Sequence, residues 1–179
     1  MRIISGDLRG ILIAPPKGLP VRPTTDRAKE SLFNIIDNNF NITDLNVLDI
    51  FSGTGNISYE FASRGAQKIT AVDLNFKCTE FIKLMKQKHQ LKNIDVVKKD
   101  AFTFLKSTLT TYDIIFADAP YAHKDIIQIP KLVAERKLLN PKGWLIVEHE
   151  NVLDLDTEPN FLNKRVYGQS CFSFFSAAD

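Results

Sequence analysis

The sequence predicts an α/β fold in which a mostly parallel sheet is packed by helices and closed by an antiparallel hairpin. Three observations predict it. The stretch from Val47 to Gly55, V-L-D-I-F-S-G-T-G, reads as a buried strand broken by a glycine turn, and a helical pattern follows at once. Further apolar runs at 69–73, 94–98, 112–118 and 144–149 alternate with helical patterns, the rhythm of βαβ units and a parallel sheet. The ending breaks that rhythm. Two strand-like runs, at about 164–167 and 171–175, are too close together for a crossover helix, so they pair antiparallel.

Each element has its own signal. Short apolar runs at 1–5 and 10–14 flank the turn-forming Gly6-Asp7, which predicts a small N-terminal β-hairpin. Residues 15–23 are a Pro/Gly-rich connector. Thr24 or Thr25 then caps a helix to about Phe40, with Ala28, Leu32, Ile35 and Ile36 on one face. The helix after the glycine turn runs from Asn56 to Arg64, and Gly65 is placed to end it. A helix from Asn75 to about Leu91 carries Cys78, Phe81, Ile82 and Met85 at helical spacing. A short helix spans 101–105, and another runs from about Pro130 to Leu138 with Pro130 in its first turn. The run 112–118 is almost continuously apolar, as in strands covered on both faces. The expected organisation is one domain over 1–179, with 1–23 as hairpin and connector and 24–179 as the core.

With 179 residues, 44% of them hydrophobic, the chain can bury a full-sized core but has no run long enough to span a membrane. Cys78 and Cys171 are isolated, and no charged-then-apolar leader follows Met1. A cytoplasmic protein, monomeric and not bound to membrane, is expected. The net charge of +2 conceals an uneven distribution. Residues 1–25 hold Arg2, Arg9, Lys17 and Arg22 against Asp7 alone, and 77–99 hold seven lysines against Glu80 and Asp95. Residues 148–158 hold five acids and no Lys or Arg. Such separation suits a basic face for a polyanion, although a lysine-rich helix can also be an ordinary solvated face. His89, His123 and His149 are scattered, so no metal site is read.

Gly53 and Gly55 permit positive φ and a close backbone approach to a ligand, with Phe51 leading into the turn. A dinucleotide fingerprint would need a third glycine or alanine where Ser58 stands. Asp49, at the strand end, would repel a pyrophosphate and attract a sulfonium, which favours S-adenosylmethionine over NAD. In a parallel sheet, ligands bind at the carboxyl ends of the strands, and Asp49, Asp73, Asp100 and Asp118 all stand there. Asp73 follows Gly55 by 18 residues, a spacing suited to a carboxylate that accepts ribose hydroxyls. Asp100 and the amide of Ala101 are placed to read an adenine edge. Any one of the four could instead cap a helix, but four in register along one sheet edge favour a cofactor site.

The chemistry falls to Asp118-Ala119-Pro120-Tyr121. An exocyclic amine on a nucleobase is a poor nucleophile because its lone pair is delocalised into the ring. Asp118 and the Ala119 carbonyl can hold its N–H bonds and turn the lone pair toward a methyl group. Pro120 stiffens the loop, and Tyr121 offers a face for a base taken out of its stack.

A mostly parallel sheet ending in an antiparallel hairpin is the outline of the class I, Rossmann-like S-adenosylmethionine-dependent methyltransferases. The motifs R-I-I-S-G-D-L-R-G (2–10), R-P-T-T-D-R-A-K-E-S-L-F-N (22–34), D-I-F-S-G-T-G (49–55), S-R-G-A (63–66) and R-V-Y-G (165–168) resemble those of one such family. It is RsmD, the bacterial 16S ribosomal RNA (guanine-N2)-methyltransferases, and the match runs nearly end to end. The resemblance implies methyl transfer to N2 of one guanine of 16S rRNA, presented by the 30S subunit or an assembly intermediate. It implies that Arg22, Thr24 and Asp26 close over the methionine end of the cofactor. Arg2 and Arg9 of the hairpin, with Lys17, would hold RNA phosphates. Two positions depart from the family: Ser58 in place of a glycine, expected to matter little, and Ala119 in place of the first proline of D-P-P-Y. Two other readings compete. One is a DNA adenine-N6 methyltransferase, for which the chain has no room for a target-recognition region. The other is a ribosome-assembly factor that binds without catalysis, favoured only by Ala119.

Overall fold

The computed structural model describes residues 1–16, 18–19, 24–120, 124–168 and 170–177. The expectations for Lys17, Arg22, Tyr121 and His123 lie outside the described residues. The strands are β1 (Asn46–Ile50), β2 (Lys68–Asp73), β3 (Ile94–Lys98), β4 (Tyr112–Asp118), β5 (Leu139–Glu150), β6 (Phe161–Tyr167) and β7 (Ser170–Ser176). They form one sheet in the order β3-β2-β1-β4-β5-β7-β6. The first five run parallel, and β7 pairs antiparallel with both β5 and β6. The final hairpin therefore enters the sheet through its second strand and leaves β6 at the edge.

Each parallel strand sends alternate side chains to opposite faces. Val47, Ile69, Ile114 and Phe116 pack into one apolar cluster, while Leu48, Val72, Ile115 and Ala117 pack into the other. This two-sided burial is why these runs read as continuously apolar. Helices α1 (Asp26–Asp37), α2 (Asn56–Ser63) and α3 (Phe76–Lys88) supply the first cluster; α4 (Ala101–Ser107) and α5 (Gln128–Glu135) supply the second. Among the described residues, no helix is long and apolar enough to cross a membrane.

The helix starts follow from capping. The Thr25 hydroxyl accepts from the Ala28 N–H, the Asn75 side chain from Lys77 and Cys78, and the Asp100 side chain from Thr103. Gly65, at φ +87°, stands just past α2 as the sequence predicts. Several boundaries differ, β6 among them, which begins at Phe161 and not near 164. Helix α1 stops at Asp37, short of Phe40, and β5 begins at Leu139, five residues before the expected start. Helix α5 begins at Gln128 after a 3₁₀ turn over Lys124–Ile127, which keeps Pro130 in its first turn.

The N-terminal segment folds back on itself but is less regular than a two-stranded hairpin. A single antiparallel bridge joins Arg2 to Leu12, because the tight turns around Gly6 and Gly10, both at positive φ, consume the intervening residues. Ile3 and Ile13 are buried in the first core cluster, so this arm is part of the packed body.

Candidate active site

The chain runs β1→β2→β3 toward one edge, then crosses back to lay β4 on the other side of β1. Loops leaving β1 and β4 therefore diverge, and a crevice opens where the strand order reverses. A cavity of about 630 Å³ occupies that place. Its lining brings together Thr24, Asp49, Phe51, Gly53, Asp73, Asp100, Ala101, Asp118, Ala119 and Pro120. Ten residues scattered over the sequence thus share one wall system, because the sheet aligns the ends of its parallel strands.

The turn after β1 is built by backbone conformation. Phe51, Gly53 and Gly55 all have positive φ (+59°, +52° and +85°). Phe51 adopts it despite its side chain, whose ring meets Phe102 edge-on at 6.1 Å. Gly55 stands behind the lining. A Cβ there would lie 2.8 Å from Cζ of Tyr59, so the glycine is required by the buried ring as well as by φ.

The four aspartates are not equivalent. Asp73 accepts the Gly53 N–H at 2.8 Å and the Asn75 N–H at 2.7 Å, which fixes the turn against the end of β2. Burial raises its pKa, and these two backbone bonds oppose the shift. Asp100 accepts both the N–H and the hydroxyl of Thr103 at 2.8 Å, so it is a helix cap as well as a cavity residue. Asp49 is almost fully buried and its pKa is pushed up to about 7 by burial, against the lowering effect of bonds from Ser58. Burial, reinforced by the carboxylates of Glu148 and Asp49, raises Asp118 well above the ordinary carboxylate range.

Ser58 corrects the expectation that it matters little. It is completely buried, and its hydroxyl donates to Asp49 Oδ2. Where a glycine would leave Asp49 with only a backbone donor, the serine holds its orientation. Asp26 is another correction. It pairs with Arg2 on the surface at 3.2 Å and does not line the cavity. Arg2 is thereby engaged by a carboxylate, and Arg9 is exposed on the arm, away from the cavity lining. In the lysine-rich stretch, Lys83 pairs with Glu80 and Lys86 with Asp95, which Lys68 of β2 also reaches.

Sequence reasoning missed Glu148, Asn56 and the apolar wall of Ile57, Leu74, Cys78 and Phe116. Glu148 was findable, since it stands near the carboxyl end of β5, opposite Asp118 in the register. It is buried and accepts the Thr24 hydroxyl at 2.7 Å. That bond fixes Thr24 at the cavity wall across 124 residues of sequence.

A polar rim of strand-end carboxylates around an apolar wall suits a nucleoside with a charged tail. The profile of a family described as Conserved hypothetical protein 95 matches residues 1–176. Ribosomal RNA small subunit methyltransferase D from Buchnera aphidicola (subsp. Baizongia pistaciae) is 33% identical, over 89% of this chain and 82% of its own. Its namesake from Escherichia coli K12 is 31% identical, over 98% and 89%. The chain belongs to the RsmD family. A solved Escherichia coli candidate methyltransferase, yhhF, superposes with a TM-score of 0.87 at 28% identity, covering 100% of this chain and 99% of that one. The sheet order, the C-terminal hairpin and this likeness make the fold a class I, Rossmann-like methyltransferase fold.

Proposed function

We propose that this protein transfers a methyl group from S-adenosylmethionine to the exocyclic N2 of a guanine in 16S ribosomal RNA. The observation that carries the reading is that one cavity has Asp73, Asp100 and Ala101 on its wall together with Asp118, Ala119 and Pro120. The names of its relatives, ribosomal RNA small subunit methyltransferases, support an RNA acceptor. In this reading the whole chain works as one methyltransferase domain, in the cytoplasm, as a monomer acting on the 30S subunit or its assembly intermediate.

The residues present fit the cofactor. Asp73 is half-buried with each oxygen already held by one N–H, which leaves lone pairs for two ribose hydroxyls. Asp100 and Ala101 stand at the start of α4, where a purine edge would lie, and Leu74, Cys78 and Ile57 supply apolar contact. Thr24, fixed by Glu148, takes the methionine end together with Arg22. S-adenosylmethionine, when bound, supplies an electrophilic methyl group on a sulfonium centre.

Asp118 does the protein's part of the chemistry. Its carboxylate accepts an N–H of the guanine amine, and the Ala119 carbonyl accepts the other, so the nitrogen lone pair is freed from the ring and aimed into the cavity. As the new N–C bond forms and the methyl–sulfur bond breaks, its electron pair would stay on sulfur, and the nitrogen becomes cationic and must lose a proton. A carboxylate whose pKa is raised by burial and by neighbouring carboxylates is a stronger base than an ordinary one and suits that transfer. Pro120 holds the loop, and Tyr121 stacks on the extruded base.

The test is tritiated methyl transfer to small subunits purified from a strain lacking the gene, with the product nucleoside identified. N2-methylguanosine is expected; N6-methyladenosine or no product would refute the reading. Replacing Asp118 by alanine removes a contact that matters most as charge develops. The single-turnover rate should fall about a hundredfold to a thousandfold with S-adenosylmethionine affinity unchanged. Equal rates for wild type and Asp118→Ala would remove Asp118 from the chemistry.

A further inference from the structure

Beneath the N-terminal arm lies a buried ion pair that the proposed chemistry does not use. Lys29 of α1 and Glu60 of α2 are almost completely buried, with Nζ 3.5 Å from Oε2. In a helix of mixed charge, a lysine at this position would ordinarily face water. Here its ammonium also donates to the Arg2 carbonyl at 2.7 Å and to Asn56 Oδ1 at 2.9 Å. An ammonium has three N–H donors, and each meets an acceptor from a different place: the arm, the first residue of α2, and one turn further along α2.

Both ends of this cluster continue. On the arm side, Glu60 accepts the Ile4 N–H at 2.8 Å and the Ser5 N–H at 3.0 Å. Arg64 closes on its other oxygen at 2.9 Å. Residues 2, 4 and 5 of the arm are thus all seated on one ion pair. On the cavity side, Asn56 lines the cavity and its amide donates to the Thr24 carbonyl at 3.2 Å. Thr24 donates in turn to Glu148, the register partner of Asp118. Apart from the Lys29–Glu60 ion pair, every link from the Arg2 carbonyl to Glu148 is a direct hydrogen bond, so a continuous path joins the arm to the cavity wall.

We propose that Lys29 is a positioning residue that couples the seating of the N-terminal arm to the cofactor cavity, so that bound RNA and bound S-adenosylmethionine strengthen each other's binding. The proposal rests on the reading above, in which the arm meets RNA and the cavity holds the cofactor. Coupling of this kind is reciprocal: whatever factor the cofactor adds to RNA affinity, RNA adds to cofactor affinity. A lysine suits the role because three donors on one flexible stem can answer three segments at once. A neutral side chain would satisfy at most part of them.

The experiment measures affinity for purified small subunits with and without saturating S-adenosylhomocysteine, which occupies the cavity without reacting. For the wild type, the ligand should tighten subunit binding by about fivefold or more. The pair Lys29→Met with Glu60→Gln removes both charges together, so no lone buried charge remains to unfold the protein. Asn56→Ala keeps the Lys29–Glu60 pair and the arm's own bonds to it, and removes the Lys29–Asn56 and Asn56–Thr24 bonds that carry the link toward the cavity. Both variants should bind subunits alone much as the wild type does, yet show a factor near one when S-adenosylhomocysteine is added. A wild-type factor retained in both would make Lys29 a structural staple and overturn the proposal. A wild type that binds subunits and ligand without mutual effect overturns the coupling but spares the proposed function. A wild type that binds no subunits overturns both.

Discussion

Asp49 allows the electrostatics of the cavity to be tested without turnover. Its carboxyl is buried and held near pH 7, against an ordinary value of 3.8. A carboxyl whose folded pKa exceeds its unfolded value keeps its proton longer in the folded state. Its contribution to stability therefore declines as pH rises from about 4 to about 7. Each tenfold change in proton affinity corresponds to about 1.36 kcal/mol, so the full shift sets an upper limit of about 4 kcal/mol against folding at pH 8. Water entering the cavity and local relaxation would reduce this to roughly 2 kcal/mol. Asp49→Asn abolishes the ionisation while keeping the shape. Its oxygen can accept the Ser58 N–H, and the Ser58 hydroxyl can turn to receive its amide. Denaturant unfolding should show the variant near wild-type stability at about pH 4 and more stable by roughly 2 kcal/mol at about pH 8. Cofactor affinity supplies a second reading. If Asp49 attracts the sulfonium as its place at the strand end suggests, removing its charge should narrow the preference for S-adenosylmethionine over S-adenosylhomocysteine at pH 8. Parallel stability curves for variant and wild type across this range, with an unchanged preference, would show that Asp49 is not a buried ionising group of the site.

Two further outcomes follow from the geometry. Asp73→Ala should weaken S-adenosylmethionine binding by about tenfold to a hundredfold, since charge-assisted bonds of roughly 1.5–3 kcal/mol are lost. It should also cost some stability, because the Gly53 and Asn75 N–H groups lose their acceptor; calorimetry with a parallel melt separates the two, and unchanged affinity would exclude Asp73 from the site. Gly6→Ala should unseat the arm. Its new Cβ would lie 1.9 Å from the Ser63 carbonyl oxygen at a φ of +81°, so the cost should be on the order of 2–4 kcal/mol by denaturation. Wild-type stability would mean that the arm is not packed on α2.

Much of this protein is legible in its sequence because the relevant signals are local. A parallel strand buried on both faces must be apolar throughout, so β4 is visible as Tyr112 to Asp118 with both ends correct. A chain that turns from strand to helix at positive φ favours glycine, so Gly53 and Gly55 mark the loop. Parallel strands all deliver their carboxyl ends to one edge, which is why Asp49, Asp73, Asp100 and Asp118 share a cavity. What only the tertiary structure decided depends on partners remote in sequence. No window of residues says that β7 enters between β5 and β6, because that choice is made by backbone pairing after collapse. Lys29 and Glu60 read as ordinary helix-surface charges, and burying either alone would be prohibitively costly. Each is tolerated inside because the other arrives, together with the arm's amides and carbonyl, from 27 positions away and more. Ser58 and Glu148 likewise acquire meaning only when folding brings Asp49 and Thr24 within hydrogen-bonding distance. Sequence patterns reveal which residues prefer the interior or a turn; which polar groups may accompany them depends on hydrogen bonds that exist only once distant segments meet.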